Sequence, residues 1–381
     1  MEILGAVNTG LYPNFLEKVG MDSEAVDRRI EEIFQTTFYG SDEERLYHPV
    51  DPDMGFITDT GNNDVRTEGM SYGMMLTVQL DKKEEFDRIW KWTYTNMYMS
   101  EGTHKGFFCW SNSLDGSKNA NGPAPDGEEY FAMALIFASR RWGDGEGIFN
   151  YSKHACDILH EMRRVEGDGK GRGMFDPDNK LIRFIPEVDF SDPSYHLPHY
   201  YELFAKYAYE EDRQFYAEAA TNSREYLHKA CHEVTGLNGE YANYDGSPFM
   251  ESDGWGRHDW YYSDAYRTVM NMALDHIWFN KDSWQEEVGK KFLNYYCNTL
   301  GEENWDDVPM WDGTLTEQKV LHPIAVIASN AAAGILAGDE NGLKCIKKFV
   351  ETPLRLGNRR YYDNLLYFFA FLMLGGRYKI Y

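Results

Sequence analysis

The stretch Arg-Thr-Glu-Gly-Met-Ser-Tyr-Gly-Met-Met-Leu at positions 66–76 passes from a polar, glycine-containing turn into an apolar run. Thr67 is suited to cap the amino end of a helix, which places Glu68 in the first turn, where a carboxylate complements the helix dipole. Stabilising the helix dipole is therefore one possible role of the Glu68 carboxylate. The same arrangement of polar turn and apolar helix recurs along the chain, which indicates a role shared by several such turns.

Apolar spacing and capping signals predict about twelve helices. Every second helix, beginning with 67–80, is apolar nearly all round, whereas the others carry a charged stripe. A helix that is apolar on all sides must be buried, so the alternation predicts an all-α fold: an (α/α)6 barrel with an inner and an outer ring, in a single domain over residues 1–381. An open helical solenoid is the alternative, but no repeat of fixed period supports it. The predicted helices span 22–37, 67–80, 83–99, 127–142, 146–163, 193–210, 212–231, 262–279, 282–300, 323–337, 340–351 and 361–374.

Long segments rich in polar, aromatic and glycine residues lead into the predicted inner helices, whereas the turns out of them are short. If the inner helices run parallel, the long segments lie together on one face, which we predict to be the functional face. Within them, 105–110 and 181–184 are expected to form short strands. The long segments are 38–66, 100–126, 164–192, 232–261 and 302–322.

Composition excludes several kinds of partner. The formal net charge is −24 with a pI near 4.8, which argues against nucleic acid and against anionic membranes. No apolar run is long enough to span a membrane, and the first residues lack the features of a signal peptide. The five cysteines are widely spaced without a CxxC pair, which favours reduced thiols over a disulfide framework. These features predict a cytoplasmic protein and imply no particular oligomer.

Acidic residues stand at the starts of several predicted inner helices: Glu68, Asp126, Asp192 and Asp264. Each aspartate is also suited to a simple N-cap, which is the alternative role. The loops between them contribute aromatic rings such as Trp110, whose alternative role is to plug the barrel mouth. A cup of carboxylates and aromatic rings suits a neutral polyol such as a sugar chain. Cleavage of a glycosidic bond needs a protonated carboxylic acid and a second carboxylate.

Metal and cofactor sites are not predicted. His196 and His199 have i, i+3 spacing, but no carboxylate completes a known ligand pattern. Residues 51–55 and 168–171 resemble fragments of calcium loops without the spaced ligands. The chain has no phosphate loop, nucleophile elbow or dinucleotide fingerprint.

Four ordered motifs resemble the family 8 glycoside hydrolases. They are Arg-Thr-Glu-Gly-Met-Ser-Tyr-Gly-Met at 66–74, Pro-Asp-Gly-Glu-Glu-Tyr-Phe-Ala-Met-Ala-Leu at 125–135, Asp-Pro-Ser-Tyr-His-Leu-Pro at 192–198 and Tyr-Ser-Asp-Ala-Tyr-Arg at 262–267. The resemblance covers nearly the whole chain. It implies an (α/α)6 barrel that hydrolyses β-1,4 bonds with inversion. By resemblance, Glu68 is the general acid and Asp264 the general base.

The resemblance also implies residues that bind substrate. Asp126 is expected to hold the sugar at the cleavage site in a distorted ring form. Tyr195 and Arg267 are expected to support that site and the attacking water, and Trp110 to stack on a sugar. Endoglucanase relatives have Asp-Ala-Asp where this chain has Asp-Gly-Glu at 126–128, so no role is carried onto Glu128.

Within the family, the chain is most similar to members that release xylose from the reducing end of xylo-oligosaccharides. The similarity lies in Leu-His-Pro at 321–323, which resembles a loop that closes the cleft beyond the leaving sugar. His322 and Tyr362 are therefore expected to bind substrate, although His322 is also suited to a simple turn.

The alternatives are an endo-acting xylanase, glucanase or chitosanase, and a sugar-binding protein without activity. A sugar epimerase on a similar barrel is a further alternative, but it is expected to place paired histidines on inner helices.

Overall fold

A computed structural model describes residues 4–250 and 257–381. Over these residues the chain is mostly helical, with six short strands. The helices are α1 (Ala6–Thr9), α2 (Ser23–Tyr39), α3 (Thr67–Gln79), α4 (Lys83–Asn96), α5 (Pro125–Trp142), α6 (Tyr151–Met162), α7 (Pro198–Tyr207), α8 (Glu210–Ala230), α9 (Tyr266–Trp278), α10 (Trp284–Asn294), α11 (Pro323–Ala337), α12 (Glu340–Glu351) and α13 (Arg360–Leu374). The strands are β1 (Tyr47–Val50), β2 (Met54–Ile57), β3 (Val65–Arg66), β4 (Ser111–Asn112), β5 (Asp307–Pro309) and β6 (Leu315–Lys319).

The inner ring consists of α3, α5, α7, α9, α11 and α13. Each contacts the next, and α13 contacts α3, so the ring closes. Every residue of α13 is buried, whereas α12 in the outer ring buries only Gly342, Cys345, Ile346 and Phe349. This difference is the one predicted from helix patterning. The (α/α)6 barrel is therefore confirmed, and all twelve predicted helices are present.

The outer helices pack through one apolar face. In α2, for example, Val26, Ile30, Ile33 and Phe34 are buried at helical spacing, while most of the charged residues between them are exposed. Burying a side chain of this kind contributes about 1.5–3 kcal/mol, which fixes the helix against the inner ring. The turns from inner to outer helices are short, as at Gly338, whose left-handed conformation ends α11.

Two predicted inner helices begin later than expected. The prediction 193–210 is wrong at its start, because Pro193–Tyr195 form a single 3-10 turn and α7 begins at Pro198. Proline disfavours helical geometry in the residue before it, which separates the turn from the helix. The prediction 262–279 also starts early, since Ser263–Ala265 form a 3-10 turn before α9.

The long segments carry three antiparallel strand pairs, β1 with β2, β3 with β4, and β5 with β6. The strands predicted at 105–110 and 181–184 are wrong. Each segment makes only an isolated bridge, Tyr98 to Phe108 and Phe175 to Ile182, and the pairing does not extend into a strand. In the predicted 232–261 segment, residues 251–256 lie outside the described residues. No helix among residues 4–250 and 257–381 is both long and apolar enough to cross a membrane.

Candidate active site

The predicted acidic residues occupy different positions in their turns. Thr67 is the first residue of α3 and not its N-cap, because Arg66 holds the cap position without a side-chain hydrogen bond. Asp126 lies in the first turn of α5, whose N-cap is Ala124. The N-cap alternative is therefore wrong for Asp126.

The N-cap alternative holds for one of the other two aspartates. Asp192 caps the turn Pro193–Tyr195, since its Oδ1 accepts the Ser194 N–H at 2.7 Å. Asp264 lies within a short turn before α9 and is not a cap either. The side chain of Asp264 is therefore available for another partner.

Two glycines let the amino ends of the inner helices approach closely. A Cβ on Gly127 would lie 2.5 Å from the Thr67 Cβ, and one on Gly69 would lie 2.7 Å from the Tyr361 ring. Side chains at these positions would separate α5 and α13 from α3. Gly127 thus brings the helices of Glu68 and Asp126 together, and Gly69 brings Tyr361 close to α3.

Arg267 is the centre of a cluster of carboxyl groups. Its Nη1 donates to Glu68 Oε2 at 3.1 Å and to Asp126 Oδ2 at 2.8 Å, and its Nη2 donates to Asp264 Oδ1 at 2.8 Å. Asp192 Oδ2 lies 3.9 Å from Nη2. Only 5% of the Arg267 side chain is exposed, so these charges interact with little screening by water. One guanidinium thus joins carboxyl groups from four segments.

A single positive charge does not neutralise four carboxylates, and the pKa values reflect the imbalance. Burial raises the pKa of Glu68 to about 7, the positive charge of Arg267 opposes this shift, and Asp126 and Asp264 add to it. Burial also raises the pKa of Asp126 and of Asp192. Glu68 therefore keeps its proton over much of the acidic range despite its place at a helix amino end.

Two tyrosines that the sequence analysis did not single out complete the environment of Glu68. The Tyr361 hydroxyl donates to Glu68 Oε1 at 2.8 Å, and the Tyr72 hydroxyl accepts from Arg267 Nη1 at 3.0 Å. Tyr72 follows Glu68 by four residues on α3, a spacing that places both on one helix face and could have identified it. Tyr361 lies 293 residues further along the chain, and no local pattern connects it to Glu68.

Asp264 follows a residue with strained backbone. Ser263 has φ +42°, a conformation that is rare for a residue with a side chain. The Tyr362 hydroxyl donates to the Ser263 carbonyl oxygen at 2.9 Å and ties this turn to α13. Strain of this kind persists only where surrounding contacts hold it, and here it sets the position of Asp264.

A large cavity opens on one side of the Glu68 and Asp264 pair. This Trp110 cavity has a volume of about 580 Å³, and Asp126 lies in its wall. Trp110 is 37% exposed, and the Arg66 guanidinium lies 5.3 Å from its ring centre. The Tyr195 ring lies 5.5 Å from the Arg267 guanidinium carbon. The aromatic residues that line the cavity are Trp110, Phe184, Tyr195 and Tyr241.

A smaller cavity opens on the other side. This His322 cavity has a volume of about 270 Å³ and a polar lining that includes Asp59, Asn62 and Arg359, with Leu321, His322 and Tyr362 also in its wall. Glu68, Asp264 and Arg66 line both cavities.

The His322 side chain is held on two sides. Its Nδ1 lies 3.4 Å from Asp363 Oδ2, and its ring packs edge-on against Tyr362 at 5.1 Å. Asp363 is in turn fixed by Arg355 and by the Ala325 N–H. His322 is therefore a fixed part of the cavity wall rather than a residue of a free turn.

The two histidines considered as metal ligands lie elsewhere. His196 is buried between the hydroxyls of Ser191 and Ser223, and burial lowers the pKa of His196 and of His199 to about 3. Neither lines the Trp110 or His322 cavity. In the described part of the chain, no three His, Cys, Asp or Glu side chains are grouped to hold a metal ion.

A half-buried carboxyl pair at the mouth of an (α/α)6 barrel, between an aromatic cavity and a polar one, is the arrangement of an enzyme that acts on carbohydrate chains. Residues 5–375 match the sequence model of Glycosyl hydrolases family 8. The chain belongs to this family.

The relatives are similar over nearly their whole length. The chain is 50% identical to the reducing end xylose-releasing exo-oligoxylanase of Halalkalibacterium halodurans, over 99% of this chain and 96% of the relative. It is 48% identical to the reducing-end xylose-releasing exo-oligoxylanase Rex8A of Paenibacillus barcinonensis, over 99% of this chain and 98% of the relative. A solved structure of a Rex8A variant complexed with 3(3)-alpha-L-arabinofuranosyl-xylotetraose superposes with a TM-score of 0.97 at 47% identity, covering 100% of this chain and 99% of that one.

Proposed function

We propose that the protein hydrolyses β-1,4-linked xylo-oligosaccharides with inversion and releases xylose from the reducing end. The observation that carries the proposal is the position of Glu68 and Asp264, which share Arg267 and lie between a larger cavity lined by aromatic rings and a smaller, polar one. The names of the relatives, at 48–50% identity, support the same substrate class.

Glu68 is the general acid. Burial holds its pKa at about 7, so the carboxyl group is protonated in mildly acidic and neutral solution. Tyr361 and Arg267 contact both oxygens and fix the direction in which the proton is delivered. The proton passes to the glycosidic oxygen as the bond to the anomeric carbon breaks, and the released sugar leaves with a neutral hydroxyl.

Asp264 is the general base. It takes a proton from a water molecule that attacks the anomeric carbon on the face opposite the leaving sugar, and the configuration at that carbon inverts. In inverting enzymes the two carboxyl groups are about 6.5–9.5 Å apart, which leaves room for this water. Arg267 lies between Glu68 and Asp264 and contacts each through a different nitrogen, which supports a spacing wide enough for the water.

The two cavities divide the substrate. Trp110 offers a ring face to the sugars before the cleaved bond, Tyr195 supports the cleavage site, and Asp126 holds the sugar there in a distorted ring. The leaving xylose occupies the His322 cavity, where Leu321 and His322 block the space that a second leaving sugar would need. Cleavage therefore removes one sugar at a time.

An endo-acting enzyme of the same family is the second candidate, and its cleft would have to continue past His322. The fixed His322 side chain and the small cavity favour exo action. A sugar-binding protein without activity is disfavoured by the raised pKa of Glu68, because binding alone needs no protonated carboxyl group at that position.

The test is digestion of xylotriose, xylotetraose and polymeric xylan with the purified protein. The proposal expects xylose and an oligomer shortened by one unit from each oligosaccharide, with little loss of xylan viscosity. A rapid fall in viscosity would indicate endo action, and binding without products would indicate a sugar-binding protein.

A cytoplasmic location completes the proposal. The five cysteines form no disulfide, which favours a reducing compartment. Fractionation of the source cells followed by detection of the protein tests this location, and recovery from the culture medium would contradict it.

A further inference from the structure

Two of the five cysteines face each other outside the active site. Cys297 lies in the single π-helical turn Tyr295–Leu300 that follows α10, and Cys345 lies on α12. Their sulfur atoms are 3.5 Å apart, within contact distance. Neither residue lines the Trp110 or His322 cavity, so the pair has no part in the proposed hydrolysis.

The two thiols differ in ways that suit stepwise oxidation. Cys297 is half-buried and reachable from solvent, whereas Cys345 is fully buried. The hydrogen bond from Cys345 lowers the pKa of Cys297, and the nearby Lys344 adds to this shift against the effect of burial. The same contact and burial raise the pKa of Cys345. Thiolate character therefore concentrates on the accessible sulfur, beside a protonated partner.

The surroundings already hold the two segments together. Lys344 Nζ lies 3.2 Å and Lys348 Nζ 3.0 Å from the Glu302 carboxylate, so the turn after Cys297 is tied to α12 at the level of Cys345. The sulfur atoms stay close without a covalent bond, which reduces the movement needed to form one.

We propose that Cys297 and Cys345 form a peroxide-reactive thiol pair, a modification site at which oxidation closes a disulfide between the π-turn and α12. The oxidant is hydrogen peroxide. The Cys297 thiolate, having released its proton to water, attacks one peroxide oxygen. The O–O bond breaks, and Cys297 becomes a sulfenic acid while hydroxide leaves and takes up the released proton as water. The Cys345 sulfur then bonds to the Cys297 sulfur, the S–O bond breaks, and the hydroxyl leaves with the Cys345 proton as a second water. Two thiols are oxidised and one peroxide is reduced.

The disulfide would close the segment 297–345, which includes β5, β6 and the His322 wall. Cross-linking restricts the unfolded chain, so the oxidised protein should melt at a higher temperature by about 3–8 °C. The proposal does not depend on the substrate or on the reaction at Glu68.

The experiment treats the full-length protein with hydrogen peroxide, blocks free thiols with an alkylating agent and maps the digest by mass spectrometry without reduction. We expect a cross-linked peptide pair containing Cys297 and Cys345, lighter than the two separate peptides by two hydrogen atoms. Dithiothreitol should remove both the cross-link and the gain in melting temperature.

Three variants separate this site from general oxidation. Cys297→Ser and Cys345→Ala should each abolish the cross-link and the thermal shift. Cys156→Ser removes another half-buried thiol, which has no thiol partner, and should leave both unchanged. The proposal is overturned if the parent protein accumulates sulfinic acid at Cys297 without a cross-link. It is also overturned if Cys156 reacts while Cys297 and Cys345 stay reduced. Both of these outcomes are measured on the unsubstituted protein, so the test remains decisive even if a variant fails to fold.

Discussion

The Trp110 cavity and the His322 cavity meet at the same pair of carboxyl groups but differ in size and lining. The first has about 580 Å³ and is lined by four Trp, Phe and Tyr rings, whereas the second has about 270 Å³ and a largely polar lining that includes His322. We propose that the chemistry resides in Glu68 and Asp264, which line both cavities, and in Arg267, which contacts both carboxyl groups. In the proposed function, the difference between the two sides decides which bond of a sugar chain reaches the carboxyl groups.

The shared residues come from the ends of inner helices, and the residues that distinguish the cavities come mainly from the long segments between helices. Trp110 lies within one such segment, and Leu321 and His322 end another. A barrel of this kind can therefore change its cleavage pattern through loops while it keeps its reaction.

The largest expected effect is at the shared carboxyl groups. Glu68→Gln removes the proton for the leaving oxygen, and Asp264→Asn removes the base for water. Each should lower kcat on xylotriose by about 10²–10⁴-fold. Steady-state kinetics with both variants measures this loss.

A β-xylobiosyl fluoride separates the two roles, because fluoride leaves without protonation. Glu68→Gln should hydrolyse it at a rate close to that of the parent protein, whereas Asp264→Asn should remain slow. If both variants are slow, Glu68 has a role other than proton delivery.

The next effect concerns the difference between the cavities. Replacing Leu321 and His322 together by Ala should join the His322 cavity to the outside and admit a second leaving sugar. The ratio of xylobiose to xylose released from xylotetraose should rise about 10-fold or more. Chromatography of early products measures the ratio.

Leu315→Ala is the control for this prediction, since Leu315 is 50% exposed on β6 of the same segment and lines neither cavity. It should leave the product ratio unchanged. An unchanged ratio in the double variant would show that the His322 wall does not set the cleavage position.

A smaller effect is expected in the Trp110 cavity. Trp110→Ala removes a stacking surface and should raise KM for xylotetraose by about 3–10-fold while kcat changes little. Trp110→Phe keeps a ring and should recover most of the affinity. A fall in kcat of the same size as the rise in KM would place Trp110 at the cleaved bond instead.

The smallest effect is on stability. Because the folded protein raises the pKa of Glu68 from 4.5 to about 7, the folded state binds the proton more tightly than the unfolded chain between these pH values. The free energy of unfolding should therefore fall by about 1–3 kcal/mol from this group as pH rises through that window.

Glu68→Gln should lose that part of the pH dependence, and urea unfolding of both proteins at pH 5 and pH 7.5 tests it. Equal changes in the two proteins would mean that Glu68 is not protonated in the folded state. In the parent protein, kcat should decline above about pH 7 for the same reason.

The ring alternation could be predicted because each helix shows its burial in its own residues. The run at 361–374 is apolar on all sides and became α13 with every residue buried, whereas residues 22–37 carry one apolar face and became α2. Helix starts were less predictable where prolines and short turns intervene, as before α7 and α9.

The grouping of the main candidate site residues was predictable from the sequence, whereas their mutual contacts were not. Glu68, Asp126 and Asp264 were found because helix starts converge on one face of the barrel. Tyr361, which donates a hydrogen bond to Glu68, comes from a distant segment of the chain. The carboxyl groups of Glu68 and Asp126, which contact Arg267, do so as well. Such pairs depend on the final packing of the inner ring, which no single stretch of residues encodes.

The most direct test of the central claim is proton NMR of xylotriose hydrolysis, with a ¹³C label in the reducing-end sugar. The account predicts that all label appears in free xylose and that the new xylobiose forms first as the α-anomer, before mutarotation. Label retained in xylobiose, or xylobiose formed first as the β-anomer, would contradict it.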